Sequence, residues 1–335
     1  MKNKRLIKVR STGAYLASDL ITSESLDKKL NKPKGWVERK TGIVTRRYER
    51  KLRASEMGGK AAQEAMINAD LGLEDIDCIV ATCGTMDQHI PCNAVMIKRA
   101  LGAEKYTIPC FDINATCLSF LYGLDTLSDS IELGKYKRIL LVAADLCHRH
   151  MNWKQLESCL LFGDGAAAVI LEKTNSNDQS CLLGAHFENY VEGALYTEVA
   201  GAGTTHAVSQ YNDLDTIHQL AKFNMNGKKI FKLAAKLIVP FINRLYKKAG
   251  ISNEDITLTI PHQASGHALA YGRKKWKFEK DRYFVILNEF GNQVSVSIPM
   301  GLHLAVQRNR IKRGDIVCLV GTGAGLTLGG VVLKY

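Results

Sequence analysis

The chain has 335 residues, of which 46% are hydrophobic and 23% are charged, and its formal net charge is +12. This length suits two modules of roughly 150 residues each better than a single core. The surplus of basic residues attracts polyanions in general, but these residues occur in short dispersed groups, which argues against nucleic-acid binding. The sequence contains no run of about 18 apolar residues, so no membrane span is predicted.

The basic first segment, residues 1–16, is predicted to be a strand that runs into a turn at Gly13. It lacks the apolar centre and the small-residue cleavage site of a signal peptide. Nine cysteines are irregularly spaced and no Cys-x-x-Cys pair occurs, so we expect neither a disulfide framework nor a metal site. A reduced, cytoplasmic location is therefore predicted.

The sequence matches itself in three places that follow the same order. The tripeptide Glu-Asp-Ile begins at residues 74 and 254, Tyr106 matches Tyr283, and Ile139 matches Ile316, with offsets of 180, 177 and 177. Around these matches, helical patterns alternate with short buried-strand runs such as CIVATCG and VCLVGTG. Such alternation is typical of parallel or mixed sheets with helices on their faces.

The repeat predicts an α/β fold of two duplicated halves related by a pseudo-two-fold axis. The halves are predicted to be residues 1–174 and 229–335. The intervening segment 175–228 is rich in Ser, Asn, Gly and Thr and matches nothing in the other half, so it is predicted to be an insertion that caps a site.

Cys117 lies where a predicted strand ending near Ile113 gives way to a helical pattern from Leu118 onward. At a helix N-terminus, unpaired N–H groups and the helix dipole favour a thiolate. A single cysteine in an apolar run is more often a packing residue. Its location at the turn is therefore what makes Cys117 a candidate nucleophile.

His262 and Asn292 lie at comparable junctions in the second half. His262 follows the strand that matches the one ending at Cys83, and Asn292 lies at a strand-to-helix junction like that of Cys117. Alone, each fits a capping, core or turn residue. Two-fold packing would bring these strand ends to one crevice, where open α/β sheets place their sites. A Cys, a His and an Asn together suit acyl-thioester chemistry, with the thiolate attacking and the other two stabilising an oxyanion.

Several longer motifs support the same chemistry. They are GWVERKTGI at 35–43, DINATCLSF around Cys117, LFGDGAAA at 161–168, PHQA at 261–264 and GNQVSVSIP at 291–299. Together they resemble β-ketoacyl-acyl-carrier-protein synthase III and its relatives in the thiolase superfamily, from TGAYL near residue 12 to GTGAGLTLGG near the C-terminus. The resemblance implies a thiolase fold layered α-β-α-β-α.

The resemblance also implies a mechanism. Cys117 would take an acyl group from a CoA or carrier thioester, within an oxyanion hole formed by its own N–H and that of the Gly323 loop. His262 and Asn292 would hold the thioester oxygen of a malonyl-carrier while carbon dioxide leaves, and a β-ketoacyl product would form in fatty acid or specialised metabolite biosynthesis. The family is homodimeric and uses no metal or other cofactor besides its thioester substrates.

Further residues are assigned to binding by the same resemblance. The substrate-binding positions are Trp36, Lys40, Ile90, Phe162, Met225, Gly227, Phe231 and Ser265, with Ile90 reaching the pocket of the partner subunit. Those expected to dock an acidic acyl carrier protein are Lys232, Arg273, Lys274 and Lys275. The Gly163-Asp164-Gly165 segment is predicted to be a tight turn that leads into a strand.

Five positions depart from the family pattern where the substrate is recognised. The family's two adenine-side arginines are Lys40 and Leu156 here, its asparagine after the catalytic His is Ser265, a docking arginine is His267, and the pocket-closing aromatic is Ile90. Lysine loses the planar, bidentate geometry of arginine. These departures leave open whether CoA or a carrier protein is the donor, and a branched aliphatic at Ile90 would admit a longer or bulkier acyl group.

Two alternatives to condensation follow from the same residues. The acyl group on Cys117 could pass to an oxygen or nitrogen acceptor, or the chain could be a non-catalytic partner subunit. The presence of Asn292 beside His262 favours condensation, because a second donor serves an enolate. The intact Cys, His and Asn argue against a non-catalytic subunit.

Overall fold

The computed structural model describes residues 4–175, 177–201 and 203–335. Its strands are β1 (Ile7–Leu16), β2 (Asp19–Thr22), β3 (Thr45–Tyr48), β4 (Cys78–Ala81), β5 (Cys110–Asp112), β6 (Arg138–Asp145), β7 (Gly165–Lys173), β8 (Cys181–Asn189), β9 (Thr197–Glu198), β10 (Asn224–Met225), β11 (Leu258–Pro261), β12 (Ile316–Gly323) and β13 (Thr327–Lys334). Its α-helices are α1 (Ser23–Lys29), α2 (Trp36–Thr41), α3 (Ala54–Ala69), α4 (Asn93–Ala100), α5 (Ser119–Glu132), α6 (Leu156–Cys159), α7 (Leu214–Leu220), α8 (Gly227–Ala249), α9 (Gly266–Lys275), α10 (Leu287–Phe290) and α11 (Ser297–Gln307).

Two mixed sheets repeat one strand order. The first sheet runs β1-β7-β6-β4-β5 and the second runs β8-β13-β12-β11. In both, the two inner neighbours β6-β4 and β12-β11 are parallel, while the strands on the other side pair antiparallel. Tyr283 bridges Thr259 of β11 in parallel fashion, at the place that β5 takes in the first sheet. The predicted duplication of an α/β unit is therefore confirmed.

The repeat is closest at the turns that precede two buried helices. A 3₁₀ turn at Thr116–Leu118 leads into α5, and a 3₁₀ turn at Val294–Val296 leads into α11, 178 residues later. Both turns begin with a β-branched residue in the left-handed region, Thr116 at φ 53° and Val294 at φ 50°. Such backbone strain costs on the order of 1–3 kcal/mol at each residue and is typical of functional sites.

The layers follow from the helices that cover each face of the two sheets. Alternate residues of both sheets point inward onto α5 and α11, which form the central core with residues such as Leu124, Leu141 and Leu319. Outward-facing residues of the first sheet pack on α3, and those of the second sheet pack on α8. The order is therefore α-β-α-β-α, as the thiolase fold requires.

The second half begins earlier than its sequence indicates. β8 lies inside the segment 175–228 that was predicted to be a cap, yet it pairs with β13 along its length and takes the position of β1. The preceding residues 175–180 are polar and resemble a loop, so the sequence pattern does not indicate the strand. Gly184 in β8 allows α8 to pack closely against it, because a Cβ there would lie 2.8 Å from Ala249 Cα. The inserted part is thus 190–226, and the first half carries its own insertion at the equivalent place, 17–53.

The predicted turn at Gly13 is wrong. β1 continues through this residue to Leu16, and the glycine instead allows α3 to approach, since a Cβ would lie 2.3 Å from Ala61 O. Within the described ranges, no helix combines the length and the apolar character that crossing a bilayer requires.

Candidate active site

Cys117 is the middle residue of the 3₁₀ turn between β5 and α5, as the sequence predicts. The turn is held by Ser119, whose Oγ donates to Thr116 O at 2.7 Å and accepts from Ala115 N–H at 2.9 Å. The positive φ of Thr116 places the next residue at the start of the helix. These bonds fix the backbone of the turn that carries Cys117.

The thiolate that the sequence led us to expect is not the resting form. Burial, with the charge of Asp145 as the next cause, raises the pKa of Cys117 to about 11. Hydrogen bonds from the backbone N–H groups of Ala324 and of Cys117 itself oppose this rise. At neutral pH Cys117 is therefore a thiol that must lose its proton during the reaction.

The second N–H at the sulfur comes from Ala324 and not from Gly323. Gly323 is the last residue of β12 and pairs with Thr327 of β13. The hydrogen bond to Cys117 is made one residue further along the loop. On the Gly323 loop, where an oxyanion-hole N–H was predicted, the N–H that lowers the pKa of Cys117 is therefore that of Ala324.

His262 follows β11 directly and is anchored by its backbone. Its N–H donates to Val320 O at 2.8 Å, and only 5% of the residue is exposed. Burial lowers the pKa of His262 to about 4, so the imidazole is neutral at pH 7. A Cβ on Gly321 would lie 2.4 Å from His262 Cβ, which shows how closely the histidine lies over β12. No hydrogen-bond partner for Nδ1 is found among the residues that the structure describes.

Asn292 is held by four hydrogen bonds. Its N–H donates to Leu161 O at 2.7 Å and its carbonyl accepts from Gly163 N–H at 3.0 Å. The side-chain Oδ1 accepts from Val294 N–H at 2.9 Å, and Nδ2 donates to Ala264 O at 3.3 Å. The bond to Oδ1 sets the orientation of the amide and leaves a second N–H on Nδ2 for a ligand.

The Gly163-Asp164-Gly165 segment was predicted to be a tight turn, but it is an irregular connection that joins the Phe162–Asn292 bridge to the start of β7 at Gly165. A Cβ on Gly163 would lie 2.1 Å from Phe290 O, and one on Gly165 would lie 2.4 Å from Gln293 Nε2. Asp164 is fully buried, accepts a hydrogen bond from Glu49 N–H at 2.8 Å and pairs with His148. The segment therefore supports Asn292 through the backbone and leads into β7.

One cavity of about 1100 Å³ unites the predicted site residues. It is lined by Cys117, His262 and Asn292 and by seven other predicted residues: Lys40, Phe162, Met225, Gly227, Phe231, Ser265 and Gly323. The departing residues Leu156 and His267 line it as well. The four predicted docking residues are exposed on α8 and α9.

Two predicted substrate residues lie outside this cavity lining. Trp36 packs against a small core, with Lys32 Nζ 5.4 Å from its ring centroid. Ile90 is 84% exposed, next to Pro91. Neither side chain is brought to the Cys117 cavity of its own chain.

Some lining residues were not predicted. Thr85 and the residues after it follow the end of β4, and Thr197, Glu198, Val199 and Gly201 come from the insertion 190–226. Asp145, whose charge is one cause of the raised pKa of Cys117, is the acidic residue that ends the apolar run ILLVAAD. A carboxylate at the end of a buried strand is a signal that the sequence did offer. In the described part of the chain, no group of three or more His, Cys, Asp or Glu residues could hold a metal ion.

Comparison with known proteins gives consistent results. The family models for 3-oxoacyl-[acyl-carrier-protein (ACP)] synthase III match residues 111–190, and those for its C-terminal part match residues 246–335. A β-ketoacyl-[acyl-carrier-protein] synthase III of Aquifex aeolicus is 31% identical over 328 residues, covering 98% of this chain and 99% of the relative. One from Clostridium acetobutylicum is 30% identical over 333 residues, covering 98% of each. The crystal structure of 3-oxoacyl-[acyl-carrier-protein] synthase III from Aquifex aeolicus superposes with a TM-score of 0.86 at 30% identity, covering 98% of this chain and 100% of that one.

Proposed function

Because the chain belongs to the 3-oxoacyl-[acyl-carrier-protein] synthase III family of acyltransferases, we propose that Cys117 carries the acyl group and that His262 and Asn292 drive its decarboxylative condensation with a malonyl thioester. One observation carries the proposal. A thiol, a neutral imidazole and an oriented amide line the same cavity, and two backbone N–H groups reach the sulfur.

In the first half-reaction the thiol of Cys117 attacks the carbonyl carbon of an acyl thioester. Its proton passes to the imidazole of His262, which is available to accept it because burial lowers the pKa of His262 to about 4 and leaves the ring neutral at pH 7. The oxygen of the tetrahedral intermediate accepts hydrogen bonds from the N–H groups of Cys117 and Ala324. The donor thiolate leaves, takes the proton from His262, and the acyl group remains on sulfur.

In the second half-reaction a malonyl thioester loses carbon dioxide. The electrons of the broken C–C bond move into the thioester carbonyl, whose oxygen becomes an enolate. His262, again neutral, and the free N–H of Asn292 donate hydrogen bonds to that oxygen. The resulting carbanion attacks the acyl carbon on Cys117, and the Cys117 thiolate leaves as the β-ketoacyl thioester forms.

The proposal separates the two half-reactions, and variants test it. His262→Ala and Asn292→Ala should both still become acylated on Cys117, more slowly in His262→Ala because it lacks the proton acceptor. Both should release carbon dioxide from malonyl thioester about 100-fold more slowly, since each loses a donor to the enolate. Acylation is read by intact mass and decarboxylation by carbon dioxide release. His303→Ala is the matched control, because His303 is also buried but bonds to Thr12 Oγ1 at 3.1 Å, away from the cavity lining. Carbon dioxide release at the wild-type rate from both variants would contradict the proposal.

We propose an acidic acyl carrier protein as the partner at the cavity entrance. The 23 residues of α8 include no Asp or Glu and seven basic residues: Lys228, Lys229, Lys232, Lys236, Arg244, Lys247 and Lys248. Arg273, Lys274 and Lys275 are exposed at the end of α9, whose first residues line the cavity. Positive charge around an entrance steers an acidic partner towards it.

We also propose a homodimer in the cytoplasm. The 84% exposure of Ile90 supports a partner subunit that covers it, since a large aliphatic side chain gains from burial. All nine cysteines are free thiols, which suits a reducing compartment. The reaction as written needs only its thioester substrates.

A further inference from the structure

A buried carboxylate that the proposed mechanism does not use connects the two halves beneath the site. Asp145 ends β6 and has no exposed surface. Its Oδ1 accepts hydrogen bonds from Thr85 N–H at 2.5 Å and Thr85 Oγ1 at 2.8 Å. Its Oδ2 accepts from Ser295 N–H at 2.9 Å and Ser295 Oγ at 2.5 Å. One side chain therefore joins the segment after β4 to the 3₁₀ turn before α11.

Through Ser295, this carboxylate reaches the amide of Asn292. Ser295 is the middle residue of the Val294–Val296 turn, and Val294 N–H donates to Asn292 Oδ1 at 2.9 Å. A Cβ on Gly84 would lie 2.7 Å from Val294 Cγ1 and 3.5 Å from both oxygens of Asp145, so the packing around this connection is tight. Fixing Ser295 thus fixes the strained Val294 and the orientation of the Asn292 amide.

The same carboxylate acts on Cys117 through space. After burial, the charge of Asp145 is the next cause that raises the pKa of Cys117, and it also raises the pKa of Cys83 and Cys147. Burial raises the pKa of Asp145 itself to about 6 against its four hydrogen bonds, so the carboxylate is ionised at pH 8. A nearby negative charge disfavours a second one.

The repeat gives this arrangement a counterpart of opposite polarity. The strand equivalent to β6 is β12, which ends at Gly323, 178 residues after Asp145. At the end of β12, the N–H of Ala324 donates to the sulfur of Cys117 in the Thr116–Leu118 turn. At the end of β6, the carboxylate of Asp145 accepts from the N–H of Ser295 in the Val294–Val296 turn. Each turn is therefore held by the end of a strand from the other half, and only one of these contacts is anionic.

We propose that Asp145 is a positioning residue with two separable effects: its hydrogen bonds to Ser295 hold Asn292 ready for decarboxylation, and its negative charge, packed against Gly84 in the lining of the cavity that contains Cys117, disfavours a second negative charge at the thiol. The proposal rests on the functions proposed above for Cys117 and Asn292. It requires no contact between Asp145 and substrate.

Three variants separate the two effects. Asp145→Asn keeps the shape of the side chain and removes its charge. Its NH₂ group faces the donors of either Thr85 or Ser295, so the hydrogen bonds to one of these residues are lost. This variant should raise the rate of Cys117 alkylation by iodoacetamide at pH 8 by roughly threefold or more, because losing the nearby negative charge lowers the pKa of the thiol and increases its thiolate fraction. It should also slow carbon dioxide release from malonyl-CoA by about tenfold or more, because Asn292 loses its support. Ser295→Ala keeps the charge, and should slow carbon dioxide release without raising the alkylation rate.

Asp164→Asn is the matched control for general loosening. Asp164 is equally buried and hydrogen-bonded, to Glu49 N–H, but is not among the causes of the shift in Cys117. It should not raise the alkylation rate at Cys117, which peptide mass mapping distinguishes from the other thiols.

The two effects can each be overturned. An alkylation rate in Asp145→Asn no higher than in wild type would overturn the charge effect, and normal carbon dioxide release by Ser295→Ala would overturn the positioning effect. If Asp145→Asn does not fold, Asp145→Ser supplies the neutral side chain for the alkylation assay. Alkylation needs no substrate, so a failure of the proposed function would appear separately, as wild-type protein that neither accepts an acyl group on Cys117 nor releases carbon dioxide.

Discussion

The two halves build the same backbone junctions and place different side chains on them. After β4, Thr82 donates its N–H to Val142 O at 2.7 Å, and after β11, His262 donates its N–H to Val320 O at 2.8 Å. Thr82 also turns its hydroxyl back to Val142 O at 3.2 Å, whereas the imidazole of His262 lines the cavity. The side chain after β4 is therefore bonded to its own sheet, whereas the side chain after β11 is available to a ligand in the cavity.

The paired turns differ in the same way. Cys117 occupies the middle of the first turn and lines the cavity, while Ser295 occupies the middle of the second and is bonded to Asp145. Duplication therefore supplies the geometry twice, and the chemistry comes from the positions at which the halves differ. A change that makes the halves more alike at such a position should remove function with little effect on the fold.

Gly321 offers the largest such change. Its equivalent in the first half is Ala143, fully buried in β6. Gly321→Ala should slow carbon dioxide release from malonyl thioester by about 100-fold, because the new Cβ would lie 2.4 Å from His262 Cβ and must displace it. Acylation of Cys117 should persist, as intact mass will show.

The reverse change, Ala143→Gly, is the control. It removes a methyl group from the central core and should cost on the order of 1 kcal/mol of unfolding free energy with carbon dioxide release nearly unchanged. Equal losses of activity in the two variants would mean that the halves do not differ in function at this position.

A second test concerns the charge state of the first turn. With a pKa of about 11, the fraction of Cys117 in the thiolate form is small at pH 7 and rises about tenfold per pH unit up to pH 9.5. The alkylation rate at Cys117 should rise in the same proportion without a plateau. The urea-unfolded chain, whose thiols have ordinary pKa values near 8.5, should approach its plateau in this range. A plateau below pH 8 in the folded protein would show that the helix N-terminus outweighs burial and Asp145.

The smallest expected effect is at the outer helices. α8 has no acidic residue, whereas its counterpart α3 carries Glu56 and Glu64. Exchanging Lys232 and Lys274 for Glu should raise KM for malonyl-carrier roughly three- to tenfold at low salt, with little change for malonyl-CoA, because a docking surface contacts only the carrier. Lys60→Glu on α3 should leave KM unchanged. An equal rise for both substrates would place the charge effect inside the cavity instead of at a docking surface.

The sequence identifies what is local to a strand end. Cys117, His262 and Asn292 each follow an apolar run that ends at a turn, and the repeat brings those ends together, so their convergence on one cavity was predictable. β8 was not, because its polar neighbours resemble a loop and its pairing with β13 joins segments far apart in the chain.

The properties of the site depend on contacts between distant segments. The raised pKa of Cys117 comes from burial and from Asp145 on another strand, and a helix-terminus argument alone gives the opposite sign. Asn292 lies three residues before Ser295, the true equivalent of Cys117, so Cys117 and Asn292 occupy different positions of the repeat. Gly323 is paired with Thr327 at the end of β12, and the backbone N–H that lowers the pKa of Cys117 is that of Ala324.

The central claim is that Cys117 alone accepts the acyl group, and intact-mass spectrometry of the protein after exposure to acyl-CoA and acyl-carrier donors of increasing chain length tests it most directly. We expect a mass increase of one acyl group for at least one donor, mapped by peptide analysis to Cys117, and no increase in Cys117→Ala. An adduct of unchanged yield in Cys117→Ala, or one mapped to another residue of the wild-type chain, would contradict the account.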